Sequence, residues 1–159
     1  MGVQLFRVDD RLIHGQVVLG WANFLRSKHV ILCDNVVRHN EWEKELYLSV
    51  VPDYLTCDVF DTEETSHYMH DHPQDMDHTI LVVNSPEIIE ELIGLGLEQD
   101  SINVGGIHFK HGRKKYLPYL YLSDEEVLSF KRCMDKGIYF ECQDMPNAKK
   151  LPLEEVINL

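Results

Sequence analysis

Ten consecutive residues hold the densest chemistry in the chain: Arg7-Val8-Asp9-Asp10-Arg11-Leu12-Ile13-His14-Gly15-Gln16. Two guanidinium groups, two carboxylates and one imidazole lie between an apolar run and a helix-period segment. A helix start offers unpaired backbone N–H groups and the positive end of a dipole, together worth about 0.3–1 kcal/mol to an anion. Gly15 allows close approach of the backbone, as phosphate cradles require. Arg11 can add a charge-assisted contact to phosphate oxygens. Asp10 can orient Arg11 or hold one ring nitrogen of His14, leaving the other nitrogen nucleophilic. Phosphoryl transfer through a loose, in-line transition state needs mainly positioning and positive charge, and this loop can supply both. The competing reading is an ion-paired turn, since clustered charges also serve structure.

The elements around this loop are those of an alternating α/β chain. Val3 to Val8 reads as a first strand, and Val17, Val18, Trp21, Ala22, Phe24 and Leu25 mark one face of the helix after it. Further strands are predicted at Val30–Cys33, Leu55–Phe60, Thr79–Val83, Ile102–Val104, Leu117–Leu122 and Ile138–Cys142. The fully apolar run at 79–83 belongs at the sheet centre, whereas Pro118 puts its strand towards an edge. Helices are predicted after Asn40 with an apolar stripe at Trp42, Leu46, Leu48 and Val50, from Thr62, after Ser85-Pro86, and after the capping box Ser123-Asp124-Glu125-Glu126. A short tail helix is expected at Leu153 to Ile157. This alternation predicts a single-domain, doubly wound, mainly parallel sheet of about six or seven strands with helices on both faces, spanning residues 1–159. In such a sheet ligands gather beyond the carboxyl ends of the strands, where the 7–16 loop lies.

Composition removes several alternatives. A formal net charge of −12 over 159 residues disfavours nucleic acid. No apolar run is long enough to span a bilayer, and the first residues lack a signal pattern. Cys33, Cys57, Cys133 and Cys142 sit at no zinc or redox spacing and read as buried free thiols in a reducing cytosol. The polar stretch His70 to His78 reads as a solvent-facing turn. Together with His67 it is rich in His and Asp, but it lacks an apolar shell, so no metal is assigned. Gly94-Leu95-Gly96 has Gln99 where a dinucleotide loop needs its third glycine, and no cofactor is assigned. The basic run Gly112-Arg113-Lys114-Lys115, flanked by His108 and His111, is a solvated loop or a docking patch.

The run Phe6-Arg7-Val8-Asp9-Asp10-Arg11-Leu12-Ile13-His14-Gly15-Gln16-Val17 resembles the active-site signature of the enzyme IIB component of the mannose/fructose/sorbose class. That class belongs to the phosphoenolpyruvate-dependent sugar phosphotransferase system. Trp21, Cys33-Asp34-Asn35, Asn84-Ser85-Pro86, Ile102-Asn103-Val104-Gly105-Gly106-Ile107-His108, Phe130-Lys131, Gly137-Ile138 and Asp144-Met145-Pro146 extend the likeness along the chain. Asn35, where the family has a second acid, and Ile107, where Met is usual, depart from the pattern. So do the aromatic stretch Tyr119 to Leu122 and the loop Asp61-Thr62-Glu63.

The resemblance implies a cytoplasmic protein that accepts phosphate from a IIA phosphohistidine and passes it to a sugar carried by IIC and IID membrane subunits. It makes His14 the phosphorylated residue, with Arg11 and Asp10 as active-loop partners. Arg7, Gly15 and Gln16 would be phosphate-binding, and Thr62 would supply a hydroxyl. A regulatory module of the same fold, accepting phosphate without serving transport, is the alternative. Self-association into a homo-oligomer is compatible with either.

Overall fold

In a computed structural model the chain is described over residues 2–11 and 16–158, with Gln16 and Val17 described by backbone alone. Seven strands form one sheet in the order β3-β2-β4-β1-β5-β8-β9. They are β1 (Leu5–Val8), β2 (His29–Cys33), β3 (Thr56–Phe60), β4 (Thr79–Val83), β5 (Ser101–Val104), β8 (Tyr139–Cys142) and β9 (Leu151–Pro152). All neighbours pair in parallel except β8 with β9. The predicted fold class is therefore the observed one, and β2 and β4 are buried along their whole length, as central strands covered on both faces should be.

Helices α1 (Gln16–Leu25), α2 (Asn35–Arg38) and α3 (Glu41–Ser49) accompany the crossovers that run from β1 to β2 and β2 to β3. Val18, Trp21 and Ala22 pack there on Val30, Leu32, Ile80 and Val82. Helices α4 (Thr62–Asp71), α5 (Pro86–Gly94), α6 (Asp124–Asp135) and α7 (Leu153–Ile157) belong to the second layer, whose core includes Phe6, Ile31, Leu81, Ile89, Leu92, Phe130 and Phe140. Right-handed crossovers require this division, because connections moving in opposite directions along the sheet fall on opposite faces. The capping box expected at Ser123 and Glu126 forms. A second, unforeseen one starts α4 through Asp61 and Glu64.

Three expectations change. The segment 117–122 is not a strand of the main sheet. β6 (Lys114–Leu117) and β7 (Leu120–Leu122) form a separate antiparallel pair with Pro118 in its turn, where the missing N–H costs nothing. The pair is tied to the loop after β5 by Ile107 N to Tyr119 O and Tyr121 N to Ile107 O, both 2.9 Å. The stretch 70–78 is ordered structure rather than a turn: α4 runs to Asp71, a 3-10 segment covers Pro73–His78, and Met76 is buried. Ser85 makes no side-chain cap bond, so Pro86 alone starts α5. Helix α3 buries no residue, and Trp42 of its apolar stripe is 74% exposed.

Candidate functional site

Strand β1 leaves the sheet towards β2, whereas its neighbour β5 leaves towards β8 on the other face. Their carboxyl-terminal loops therefore diverge and open a crevice at a topological switch point, where open α/β sheets bind ligands. Asp9-Asp10-Arg11 follow β1, Gly105 to Phe109 follow β5, and Gln143-Asp144 follow β8. Backbone bonds lock the first two loops together: Gly105 N to Val8 O at 2.7 Å and Asp10 N to Gly106 O at 2.9 Å. Gln143 N to Val104 O, 2.9 Å, adds the third.

Asp9, fully buried, is the electrostatic hub. Its Oδ1 accepts from Arg11 N (3.0 Å) and Arg11 Nε (2.9 Å), and its Oδ2 from Arg11 Nη2 (2.8 Å) and Arg7 Nη2 (3.1 Å). Arg11 Nη2 also reaches Asp144 Oδ1 at 3.0 Å. These bonds hold the Arg11 guanidinium protonated well above its ordinary value, the Asp9 hydrogen bonds outweighing partial burial. A third of the Arg11 side chain remains exposed, and its Nη1 has no partner among the described residues. It is a fixed cation with one donor edge available.

Arg7 has the opposite character. It is 0% exposed, and burial lowers its pKa, against the pull of Asp9. Nη1 donates to Asn103 Oδ1 and to Gln143 O (2.8 Å), Nη2 donates to Asp144 O (2.7 Å) as well as to Asp9, and the group lies 5.0 Å from the Trp21 ring centroid. Its terminal nitrogens are consumed in joining β1, β5 and β8. In this arrangement Arg7 frames the crevice, and of its nitrogens only Nε has no partner among the described residues.

Gly105 and Gly106 make the packing feasible. A Cβ on Gly105 would fall 2.2 Å from Arg7 Nη2 and 2.6 Å from Asp9 Oδ2, and one on Gly106 would fall 2.7 Å from Arg11 Nε and Cζ. The backbone after β5 lies flat beneath both guanidinium groups, which only glycine permits.

Asp10 turns away from Arg11. Its Oδ2 meets His108 Nδ1 at 2.5 Å and accepts from His108 N at 3.0 Å, with Arg113 Nη1 at 3.4 Å. Arg113 is in turn clamped by Glu126 at 2.7 and 2.9 Å and bonds His108 O at 2.8 Å. Burial alone would raise the Glu126 pKa; Arg113 and the Ser123 cap overcome it and lower the value. Of the two roles read for Asp10, orienting Arg11 falls to Asp9, while holding a ring nitrogen of His14 lies outside the described residues. The basic run at 112–115 is divided, with Arg113 built into the site and Lys114 and Lys115 exposed on β6.

Thr62 is not brought to this crevice. It opens α4 after β3, three strand spacings from β1, or about 14 Å. Its N–H donates to Asn35 Oδ1 at 3.0 Å, and Asn35 Nδ2 bonds Glu91 at 3.0 Å, so both belong to the neighbouring loops. His14 and Gly15 lie outside the described residues, as does the Gln16 side chain. Sequence reasoning missed Asp9 as the hub and His108, Asn103, Gln143 and Asp144 as partners. Only the Asp9-Asp10 doublet and the Gly105-Gly106 pair signalled them. Among the described residues no group of three metal-ligating side chains forms a metal site, and no helix is long and apolar enough to cross a membrane.

Residues 3–159 match the family described as PTS system sorbose subfamily IIB component. The chain is 26% identical over 147 residues to the PTS system fructose-specific EIIB component of Bacillus subtilis (strain 168), covering 92% of this chain and 90% of that protein. It is 27% identical to the PTS system mannose-specific EIIAB component of Escherichia coli (strain K12), with 99% of this chain matched, and spans about half (49%) of that relative's length. Among solved structures, the N-acetylgalactosamine-specific IIB component 1 of Escherichia coli superposes with a TM-score of 0.85 at 25% identity, over 94% of this chain and 97% of that one. The IIBSor domain of the sorbose permease from Klebsiella pneumoniae gives 0.89 at 23% identity, over 99% and 96%.

Proposed function

The chain belongs to the sorbose-subfamily IIB components of the sugar phosphotransferase system, and from that premise we propose that it carries a phosphoryl group on His14 between a IIA phosphohistidine and a sugar. The observation that carries this reading is the Arg11 guanidinium. It is held rigidly by Asp9 and Asp144 at the switch-point crevice, one edge open, three residues from His14 in the chain.

Such a cation, fixed before the reaction, stabilises the charge spread over a phosphoryl group in flight without reorganising. The amides of Gly15 and Gln16, where α1 begins, would add backbone donors. The imidazole of His14 attacks the phosphorus of the donor phosphohistidine. The P–N bond on the donor breaks, and its electron pair returns to the donor ring. A sugar hydroxyl then displaces His14: its oxygen bonds to phosphorus, the P–N bond breaks with its electron pair left on the His14 ring, and the hydroxyl proton is given up to a base. The activity is that of a protein-phosphohistidine–sugar phosphotransferase, and it needs no cofactor.

The donor would be a IIA component. Support comes from the Escherichia coli relative, whose name joins A and B components in one chain about twice the length spanned here. The acceptor would be a sugar presented by IIC and IID membrane subunits, placing a single IIB domain, residues 1–159, on the cytoplasmic side of the membrane. Relatives named for fructose, mannose, sorbose and N-acetylgalactosamine define the sugars to try.

Incubation with a radiolabelled phospho-IIA protein is expected to give an acid-labile, base-stable phosphoamidate. His14→Ala abolishes it and His67→Ala leaves it intact; label persisting in His14→Ala would refute the assignment. Label on His14 with no sugar phosphate formed from any of the four sugars, in vesicles bearing IIC and IID subunits, would mark a regulatory acceptor instead.

A further inference from the structure

One ion pair in the crevice is not used by the reading above. His108 lies on the loop after β5 with its Nδ1 2.5 Å from Asp10 Oδ2, and its backbone N–H donates to the same oxygen. Asp10 is nearly buried and braced by Arg113, which Glu126 clamps. A carboxylate so placed holds the proton on Nδ1 and leaves the lone pair on Nε2. That nitrogen has no partner among the described residues, and the His108 side chain is 61% exposed. The ring shares a cleft of about 300 Å³ with Arg11, whose unpartnered edge opens at the same crevice. Phe109, Tyr119 and Tyr121 supply its wall, Phe109 packed edge-on against Tyr121 at 5.8 Å. An aromatic wall, a fixed cation and an oriented base together suit a hydroxyl-bearing ring better than a second phosphoprotein imidazole.

We propose that this cleft receives the hydroxyl-bearing edge of the sugar presented by the membrane subunits and that His108 is the general base of the second half-reaction. This inference rests on the phosphocarrier reading of His14. The acceptor hydroxyl gives its proton to His108 Nε2 while its oxygen bonds to phosphorus. The bond from phosphorus to His14 breaks, with its electron pair left on the His14 ring. Sugar phosphate departs, and the proton on Nε2 passes to solvent. Receiving phosphate from another imidazole removes no hydroxyl proton, so the first half-reaction does not use His108.

The test separates the two halves. Protein labelled from radiolabelled phospho-IIA is mixed with vesicles bearing IIC and IID subunits and each of the four sugars, and label is followed into sugar phosphate. His108→Ala is expected to slow this second step about 100-fold or more. Added imidazole restores a measurable part of it, while His14 labelling continues. His108→Asn, whose amide can still donate to Asp10 but cannot take a proton, is expected to be equally slow and insensitive to imidazole. Normal sugar transfer by His108→Asn would show that the ring only tethers the loop and would overturn the proposal. Loss of His14 labelling in both variants would overturn it too, assigning His108 to the phosphate cradle. Failure of the wild-type chain to label at all would instead fall on the phosphocarrier reading beneath it.

Discussion

Two adjacent aspartates in this chain have different tasks, and nothing in their immediate neighbours separates them. Asp9 takes four N–H donors from Arg7 and Arg11, whereas Asp10 faces His108 and Arg113. Successive residues leaving a strand point to opposite sides, so a doublet at the end of β1 necessarily addresses two different walls. Asp9→Asn removes the charge between two guanidinium groups, one of them fully buried. The expected loss is about 3–5 kcal/mol of unfolding free energy, as for other buried pairs broken on one side. Urea denaturation measures it directly, and a change below about 1 kcal/mol would mean that Asp144 alone compensates the cluster.

At the scale of elements, the β5 loop acts as a flat floor. Gly105 lies under Arg7, whose donors span three strands, while Gly106 lies under Arg11, which is a third exposed and can shift only by giving up bonds to Asp9 and Asp144. The two alanine substitutions should therefore part company. Gly105→Ala is expected to cost about 1–3 kcal/mol of stability by overpacking. Gly106→Ala is expected to cost less, below about 1 kcal/mol of unfolding free energy, because the Arg11 pairs are partly exposed. It should nevertheless lower phosphoryl transfer at least about tenfold by displacing the cation. Equal stability losses in both would show that Arg11 is as rigidly held as Arg7. The separate β6–β7 pair matters at this scale as well, since its bonds to Ile107 fix the loop that carries His108 and Phe109.

Across the whole molecule, two layers of helices seal the inner strands of a mostly parallel sheet, so that the thiols of Cys33 and Cys142 are shielded from water, whereas Cys57 on edge strand β3 is only half-buried. Burial pushes Cys33 and Cys142 up to about 12 from an ordinary value of 9.0. An unfolded thiol loses its proton near the lower value and the folded one near the higher. Between them the unfolded state binds fewer protons, and stability falls as pH rises. Each thiol should contribute a slope of about 1.4 kcal/mol per pH unit in that window. Urea midpoints taken from about pH 8 to about pH 11 should decline, and the Cys33→Ala/Cys142→Ala variant should decline less steeply. Parallel curves for the two proteins would show that these thiols do not contribute.

Alternating apolar runs and amphipathic segments were enough, read alone, to specify a doubly wound sheet with the Arg7–Gln16 loop at its carboxyl end, because strand and helix periods are local properties of a chain. The glycine pair, the capping box at Ser123 and the aspartate doublet were visible as well. What each contacts was not. Arg11 meets Asp144 across 133 residues, and Arg7 reaches Gln143 across 136. The strand order decided these pairings, placing β5 and β8 beside β1 and leaving β3 with Thr62 at the far side. Tertiary packing also left Trp42, Leu46 and Val50 exposed and set residues 114–122 outside the main sheet. Periodicity records whether a residue has an apolar side to hide, but which partner it meets follows from which distant strand becomes its neighbour.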